Sequence, residues 1–337
     1  VEEKVQGELS PPPSPQDDQY DGKGVPISTG STLLDLAISG GRYREGGIPP
    51  GILVEIFGPS GAGKTVLLCS LAGNAQKSGR RIQFHDPEAR LNKQFARMFG
   101  LNSDELEYTT PDTVTELFKS IRESAQKEGE LGVFADSLAA LSTDLEMDNE
   151  DGDKMGMRRA KEFSEELRKT ARIITNQNVL MVCSNQVRQN ANAGPFDQKY
   201  ITPGGEAVAF YSSLRLRCFN PTKIKVKRKV GQQEFERVVG VRTMVEVYKS
   251  SVWEPYHQAD VYIMYDYGID DIRGNLMYVK GITGNFRIGD TELGKTINKA
   301  IKDVEDGNLE QDLKNYTIDL WNEVQEAFTE PRKPRQL

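Results

Sequence analysis

Cysteine and histidine are scarce. The 337 residues hold three cysteines, Cys69, Cys183 and Cys218, and two histidines, His85 and His257. The cysteines lie far apart and form no C-x-x-C pair, so a structural zinc centre of Cys/His type is not expected. Each sits in an apolar stretch and reads as a small core residue. So few cysteines suit a reducing compartment, and the cytoplasm is the expected location. No uncharged apolar run approaches the ~18 residues of a membrane span. No basic and apolar leader opens the chain, so secretion is not expected. Cations are also in deficit: 43 Lys and Arg face 50 Asp and Glu, giving −7. That balance argues against general adhesion to nucleic acid, although phosphate binding needs only a local groove with a few placed cations.

What is present suits a folded protein with a real core. Hydrophobic residues make up 37% and charged residues 28%, with a mean hydropathy of −0.55. At ~100–200 residues per domain, the length allows two domains or one large core with an appendage. Residues 1–24 read as a tail, because Ser10-Pro-Pro-Pro-Ser-Pro15 excludes helix and central strand and favours an extended chain. No internal repeat is visible. From Val25, apolar runs of strand length alternate with helical stretches. The runs are 52–57, 81–84, 132–135 and 179–183, and the helices are 64–78, 111–126 and 155–176. Buried strands alternating with helices predict a largely parallel sheet covered on both faces. After Leu214 consecutive strands follow. Residues 223–230 and 237–248, flanking Gly231-Gln-Gln, predict a hairpin. From about Ile269 the chain leans helical, with 291–305 and 309–328 as candidates, and reads as a small C-terminal domain over 269–330. Residues 331–337 read as a basic tail.

Gly58-Pro59-Ser60-Gly61-Ala62-Gly63-Lys64-Thr65 fits G-x-x-x-x-G-K-[ST] without a mismatch, between a predicted strand and a predicted helix. The glycines let backbone N–H groups converge on phosphate oxygens, and the helix N-terminus favours the anion. The pattern assigns Lys64 to the β- and γ-phosphates and Thr65 to Mg²⁺. Leu131-Gly-Val-Phe-Ala-Asp136 is an apolar strand ending in an acid, which makes Asp136 the candidate second holder of the metal. Hydrolysis also needs a group that activates water. Phe84-His-Asp86-Pro-Glu88 follows another strand, and from chemistry alone either Asp86 or Glu88 suits that role. A strand through Val179 ends in Asn185-Gln186, where an amide can donate to a γ-phosphate and report its loss.

Together these segments resemble the RecA family of DNA-strand-exchange recombinases, from about Ile27 to Phe328. The resemblance is carried by Ile27-Ser-Thr-Gly-Ser31, Gly58–Thr65, Phe84–Glu88, Ala135-Asp-Ser-Leu-Ala-Ala-Leu141, Gly152-Asp-Lys-Met155-Gly156, Asn185-Gln-Val-Arg188, Gly204-Gly205-Glu-Ala-Val-Ala-Phe210-Tyr211 and Tyr265-Asp-Tyr-Gly268. It implies an α/β fold: a RecA-type P-loop ATPase core over 25–268 with a mostly parallel central sheet, and a small C-terminal α/β domain. It implies ATP and Mg²⁺ as cofactors, with Glu88 as the water-activating residue and Gln186 as the γ-phosphate sensor. Asn92, Phe95 and Tyr265 are implied around the adenine. Phe210 is implied as a link between the ATP site and the neighbouring subunit of a helical filament. Lys249 is implied as a lysine completing a neighbour's site.

Two loops are implied to hold single-stranded DNA. The first includes Gly152–Gly156, with Met155 as the apolar residue that wedges between base steps, and the helix after it presents Ser164 and Arg168 toward phosphate. The second spans about 187–205, with Arg188, Gly204 and Gly205 near the backbone. Met155 also suits inward packing at a helix start. The acidic run 144–153 reads as a solvated face that must point away from DNA. Lys223, Lys225, Lys227 and Lys229 alternate on one strand face. They suit attraction of a second duplex and, equally, lysine protection of an edge strand.

Three features depart from the family pattern. The Pro-rich start offers no counterpart to the family's N-terminal helix, Ser251 stands where a second neighbour-directed lysine is expected, and Arg42-Tyr-Arg-Glu-Gly46 resembles an insertion. The expected function is ATP-dependent filament formation on single-stranded DNA with homologous pairing and strand exchange against double-stranded DNA. The competing readings are a non-exchanging mediator paralogue, a hexameric helicase with the same core, and an ATP-binding scaffold.

Overall fold

The computed structural model describes residues 24–143, 155–189, 200–201 and 205–329. The Pro-rich tail before residue 24, the acidic run 144–153, most of the second loop including Gly204, and the last eight residues lie outside them. So do the side chains of Phe95, Met155, Gly156, Arg188 and Gly205.

Up to residue 269 the described strands are β1 (Ile52–Gly58), β2 (Arg81–His85), β3 (Leu106–Thr109), β4 (Leu131–Ala135), β5 (Leu180–Gln186), β6 (Arg188–Gln189), β7 (Tyr200–Ile201), β8 (Leu214–Val230), β9 (Gln233–Ser250), β10 (Gln258–Met264) and β11 (Gly268–Ile269). Nine of them form one sheet in the order β3-β2-β4-β5-β1-β8-β9-β10-β11. The pairings from β3 to β8 are parallel, and those from β8 to β11 antiparallel. β1 and β4 read as largely apolar runs because both faces are covered. Every residue of β1 and of β4 is buried.

Two apolar layers flank the sheet. On one face Val54, Ile56 and Leu216 pack against Leu67, Leu68 and Leu71 of helix Lys64–Lys77. On the other, Leu53, Val133 and Met181 pack against Phe118, Phe163 and Leu167 from helices Val114–Ser124 and Met155–Asn176. All three cysteines are free and buried within these layers. No helix among the described residues is long and apolar enough to cross a membrane.

Several elements differ from expectation. The helix expected at 111–126 is Val114–Ser124, because Thr113 caps it by accepting from the Glu116 N–H. The helix expected at 291–305 starts only at Ile297, where Thr296 accepts from the Lys299 N–H, and Thr291–Glu292 is a short strand instead. The hairpin is longer than expected, since β8 and β9 begin to pair at Leu214 and Ser250. Its register shifts between Phe219 and Thr222, where Pro221 has no N–H for the ladder and Asn220 takes a positive φ of 48°. Helix Thr32–Ser39 went unforeseen; every residue of it is buried, so it carries no polar face to mark it.

Residues from Asp271 onward build their own apolar cluster around Leu276, Val279, Val304 and Leu313. They are fastened to the rest by Trp321 and Ile318 against Leu36, and by the Asp271 carboxylate on Thr32.

Candidate nucleotide site

The site begins where β1 runs into its loop. Gly61 and Gly63 adopt φ of 74° and 84°, values that favour glycine. A Cβ at Gly63 would collide with the Ile263 side chain, whereas nothing lies within 4 Å of one built on Gly61. The 14-residue helix that follows has no side-chain cap at its N-terminus, so its first N–H groups remain available to an anion. Lys64 Nζ donates to the carbonyls of Gly58 at 3.0 Å and Pro59 at 2.9 Å. Burial lowers its pKa, and Asp136 counters that.

Asp136 follows β4. Its Oδ2 accepts from Thr65 Oγ1 at 2.6 Å, and its Oδ1 accepts from Ser184 Oγ on β5. Parallel register places these groups together, since β4 and β5 pair side by side and β1 pairs with β5. The pattern did not single out Ser184. Its signal was parity, two residues before Gln186 on the same strand and so facing the same way.

A cleft of about 610 Å³ opens here, at the carboxyl ends of the strands. Ser60, Gly61, Gly63, Lys64, Thr65, Asp136, Glu88, Gln186, Asn92 and Tyr265 all line it. The two acids after β2 differ in their surroundings. Asp86 is buried, and its Oδ2 accepts from the Leu91 N–H at 2.6 Å and from the Tyr108 hydroxyl at 2.9 Å. Glu88 is partly exposed and pairs at 2.7 Å with the outward Arg90, another cleft residue the sequence did not flag.

Other expected residues lie elsewhere. Pro59 and Ala62 belong to the loop but are not among the cleft walls, and Ala62 is fully buried. Lys249 is not a wall of this chain's cleft; its Nζ donates to the carbonyls of Ala209 at 2.8 Å and Phe210 at 3.0 Å. Phe210 is exposed. Phe95 lies on helix Lys93–Met98, whose neighbour Asn92 is a cleft wall. Ser164 and Arg168 stand one turn apart on helix Met155–Asn176, beside the inward Phe163 and Leu167, with Ser164 half-buried and Arg168 exposed. The neck of the second loop is a short antiparallel ladder, Arg188 to Ile201 and Gln189 to Tyr200, and Gly205 opens helix Gly205–Tyr211.

The donor set fits a hard divalent cation such as Mg²⁺. Asp136, Thr65 and Ser184 offer only oxygen. Among the described residues no group of three or more His, Cys, Asp or Glu forms a cation cage. A cation held here would therefore complete its shell with phosphate and water oxygens, as Mg²⁺ does in phosphoryl-transfer sites. The open space at Gly61 and the cleft volume admit a triphosphate beside Lys64.

Comparison with known proteins agrees with the geometry. The family profile described as RecA N-terminal domain matches residues 17–270. Protein RecA of Clostridioides difficile is 33% identical over 307 residues, covering 89% of this chain and 81% of that protein. Protein RecA of Clostridium perfringens is 31% identical over 314 residues, covering 90% and 83%. Protein RecA of Pseudomonas fluorescens is 35% identical over 251 residues, covering 74% and 68%. With a phosphate loop, a metal-side aspartate and a strand-end glutamine around one cleft, and with these relatives, the chain belongs to the RecA family.

Proposed function

We propose that the protein is an ATP-dependent recombinase that polymerises on single-stranded DNA and pairs it with homologous duplex. The observation that carries this reading is convergence: Lys64, Thr65, Asp136, Glu88 and Gln186 come from four separate segments and line one cleft. RecA-family membership implies a DNA-dependent ATPase in general; the roles of individual residues are our assignment. The core at 25–268 holds both nucleotide and DNA, and 269–330 is a smaller appended domain.

In this assignment Lys64 leaves the carbonyls of its own loop and neutralises phosphate charge. Thr65 and Asp136 hold Mg²⁺, which when bound supplies positive charge to the phosphate oxygens. Glu88 orients the attacking water and accepts its proton. Asp86 is less suited, since its carboxylate is already committed to Leu91 and Tyr108. Gln186 donates to the terminal phosphate. Asn92, Phe95 and Tyr265 border the base, and Lys249 serves an adjacent protomer. Met155, Gly156, Ser164, Arg168, Arg188, Gly204 and Gly205 face the DNA strand. Such binding rests on phosphate contact and stacking, so it depends strongly on salt and weakly on sequence.

The test is ATP turnover with and without single-stranded DNA for the wild type and Glu88→Gln. The variant should lose at least 100-fold of the stimulated rate and keep its DNA affinity. Unchanged turnover would remove Glu88 from the water-activating role. Strand exchange by the purified protein alone separates a recombinase from a mediator, which would fail unaided.

A further inference from the structure

A row of polar side chains, buried at Glu55 and Asn185, crosses the adjacent strands β5, β1 and β8. Glu55 sits on β1 with no solvent exposure, in a strand otherwise made of apolar residues and the loop's first glycine. An isolated buried carboxylate is costly unless it is paired and hydrogen-bonded. Here Oε2 accepts from Arg215 Nε on β8 at 2.6 Å, and Oε1 accepts from Asn185 Nδ2 on β5 at 2.9 Å. The Asn185 amide is committed at both ends, because its Oδ1 accepts from the Gln186 N–H at 3.0 Å. Its orientation is therefore fixed by one donor and one acceptor contact.

Arg215 is held in its turn. Its guanidinium carbon lies 4.5 Å from the centre of the Phe57 ring and 5.5 Å from that of Tyr248. Phe57 directly precedes Gly58, the first residue of the phosphate loop. Across the next strand pair Arg215 faces Lys249. Burial and Arg215 both lower the Lys249 pKa. Its ammonium turns to the Ala209 and Phe210 carbonyls at the end of helix Gly205–Tyr211, where the helix dipole favours a cation. The hydrogen-bonded row thus runs from Arg215 through Glu55 and Asn185 to the Gln186 N–H, while Lys249 turns away from Arg215.

We propose that Asn185, Glu55 and Arg215 are positioning residues that fix Gln186 at the cleft. The proposal rests on the reading of Gln186 as the phosphate-sensing amide. None of the three lines the cleft. Their effect on turnover runs through Gln186, whose N–H, and with it the direction in which the side chain leaves the strand, is held by Asn185.

A double-mutant cycle tests this. DNA-stimulated ATP turnover, nucleotide affinity and melting temperature are measured on the full chain for Asn185→Ala, Gln186→Ala and both together. Asn185→Ala should lower kcat about tenfold and leave KM for ATP within about twofold. In the Gln186→Ala background the same substitution should change kcat by less than about twofold. Asn185→Asp alone should also slow turnover. Combined with Glu55→Gln, which exchanges donor and acceptor across the same gap, it should recover kcat to within about threefold of wild type. Asn185→Ser, too short to span the gap, replaces Asn185→Ala if the latter does not fold. Additive losses in the cycle, or a fall in kcat that only tracks lost folded protein, overturn the proposal while leaving Gln186 in place. Wild-type turnover by Gln186→Ala removes the sensor reading itself, and the proposal with it.

Discussion

Thr65 Oγ1 donates to Asp136 Oδ2 across 2.6 Å, joining two residues 71 apart in sequence at the mouth of the cleft. The hydroxyl and the carboxylate form one oxygen-only corner, and neither alone offers a cation two protein ligands. Thr65→Val removes the hydroxyl at nearly constant volume, while Thr65→Ser restores it. Nucleotide affinity, followed with a fluorescent ATP analogue, should weaken at least tenfold for Thr65→Val in the presence of Mg²⁺. It should change little when Mg²⁺ is chelated. An equal loss under both conditions would mean that Thr65 shapes the loop and does not serve the cation.

His85 and Asp35 are buried groups whose titrations oppose each other. Burial pushes His85 down from 6.5 to about 4 and raises Asp35 from 3.8 to about 7, although Ser28 and Thr29 hydrogen bonds partly offset the latter. The histidine contributes stability that is present above about 6.5 and lost as pH falls toward 4. The carboxyl contributes stability that is present below about 4 and lost as pH rises toward 7. Between these limits unfolding releases one proton and takes up another, so the pair cancels. His85→Gln should expose the carboxyl, with stability falling on going from pH 4.5 to 6.5 relative to wild type. Asp35→Asn should expose the histidine, with stability falling in the opposite direction. Each slope is at most about 1.4 kcal/mol per pH unit. Urea midpoints that run parallel to wild type in both variants would refute the pairing.

The cleft was legible where its chemistry is local. The phosphate loop is contiguous, so Lys64 and Thr65 followed from spacing, and Asp136 followed from an apolar strand ending in an acid. Asp86 and Glu88 were not separable that way. What distinguishes them is the Tyr108 hydroxyl and the Leu91 N–H, partners set by the pairing of β2 with β3 and by the turn after β2. Ser184 and Arg90 were missed for a similar reason, since a lone serine in a strand and an arginine in a loop carry no pattern. Glu55 was hidden inside an apolar run, and its partners Asn185 and Arg215 lie 130 and 160 residues away.

The ribbon tip formed by the ends of β8 and β9 carries Lys223, Lys225, Lys227, Arg228, Lys229 and Arg237 against Glu234 and Glu236. Lys225 meets Glu236 at 2.8 Å, and Lys227 meets Glu234 at 3.3 Å. Both pairs are exposed, so solvent and salt screen them. Changing both glutamates to glutamine should therefore move the melting temperature by no more than about 1 °C. A larger fall in calorimetry would mean that these pairs hold the ribbon together and that its lysines are structural.

Asp271 and Thr32 bind the C-terminal segment to the core. Asp271 Oδ1 accepts from the Thr32 N–H and Oδ2 from the Thr32 hydroxyl, both at 2.7 Å, and Asn275 Nδ2 adds a third donor at 3.0 Å. The carboxyl begins one helix and satisfies the first turn of another. Burial raises its pKa despite these donors. Thr32→Val withdraws one of them and leaves Oδ2 with Asn275 alone, the loss of a hydrogen bond to a charged group, about 1.5–3 kcal/mol. Asp271→Asn removes the charge, yet its amide still accepts from the Thr32 N–H, the hydroxyl reverses to accept from the new amide, and Asn275 can turn its buried, otherwise unpartnered Oδ1 toward that amide. Thr32→Val should accordingly be the more destabilising of the two in urea denaturation at pH 7, although it leaves every charge in place. The reverse order would mean that the ionised carboxylate, and not its hydrogen-bond count, fastens the segment.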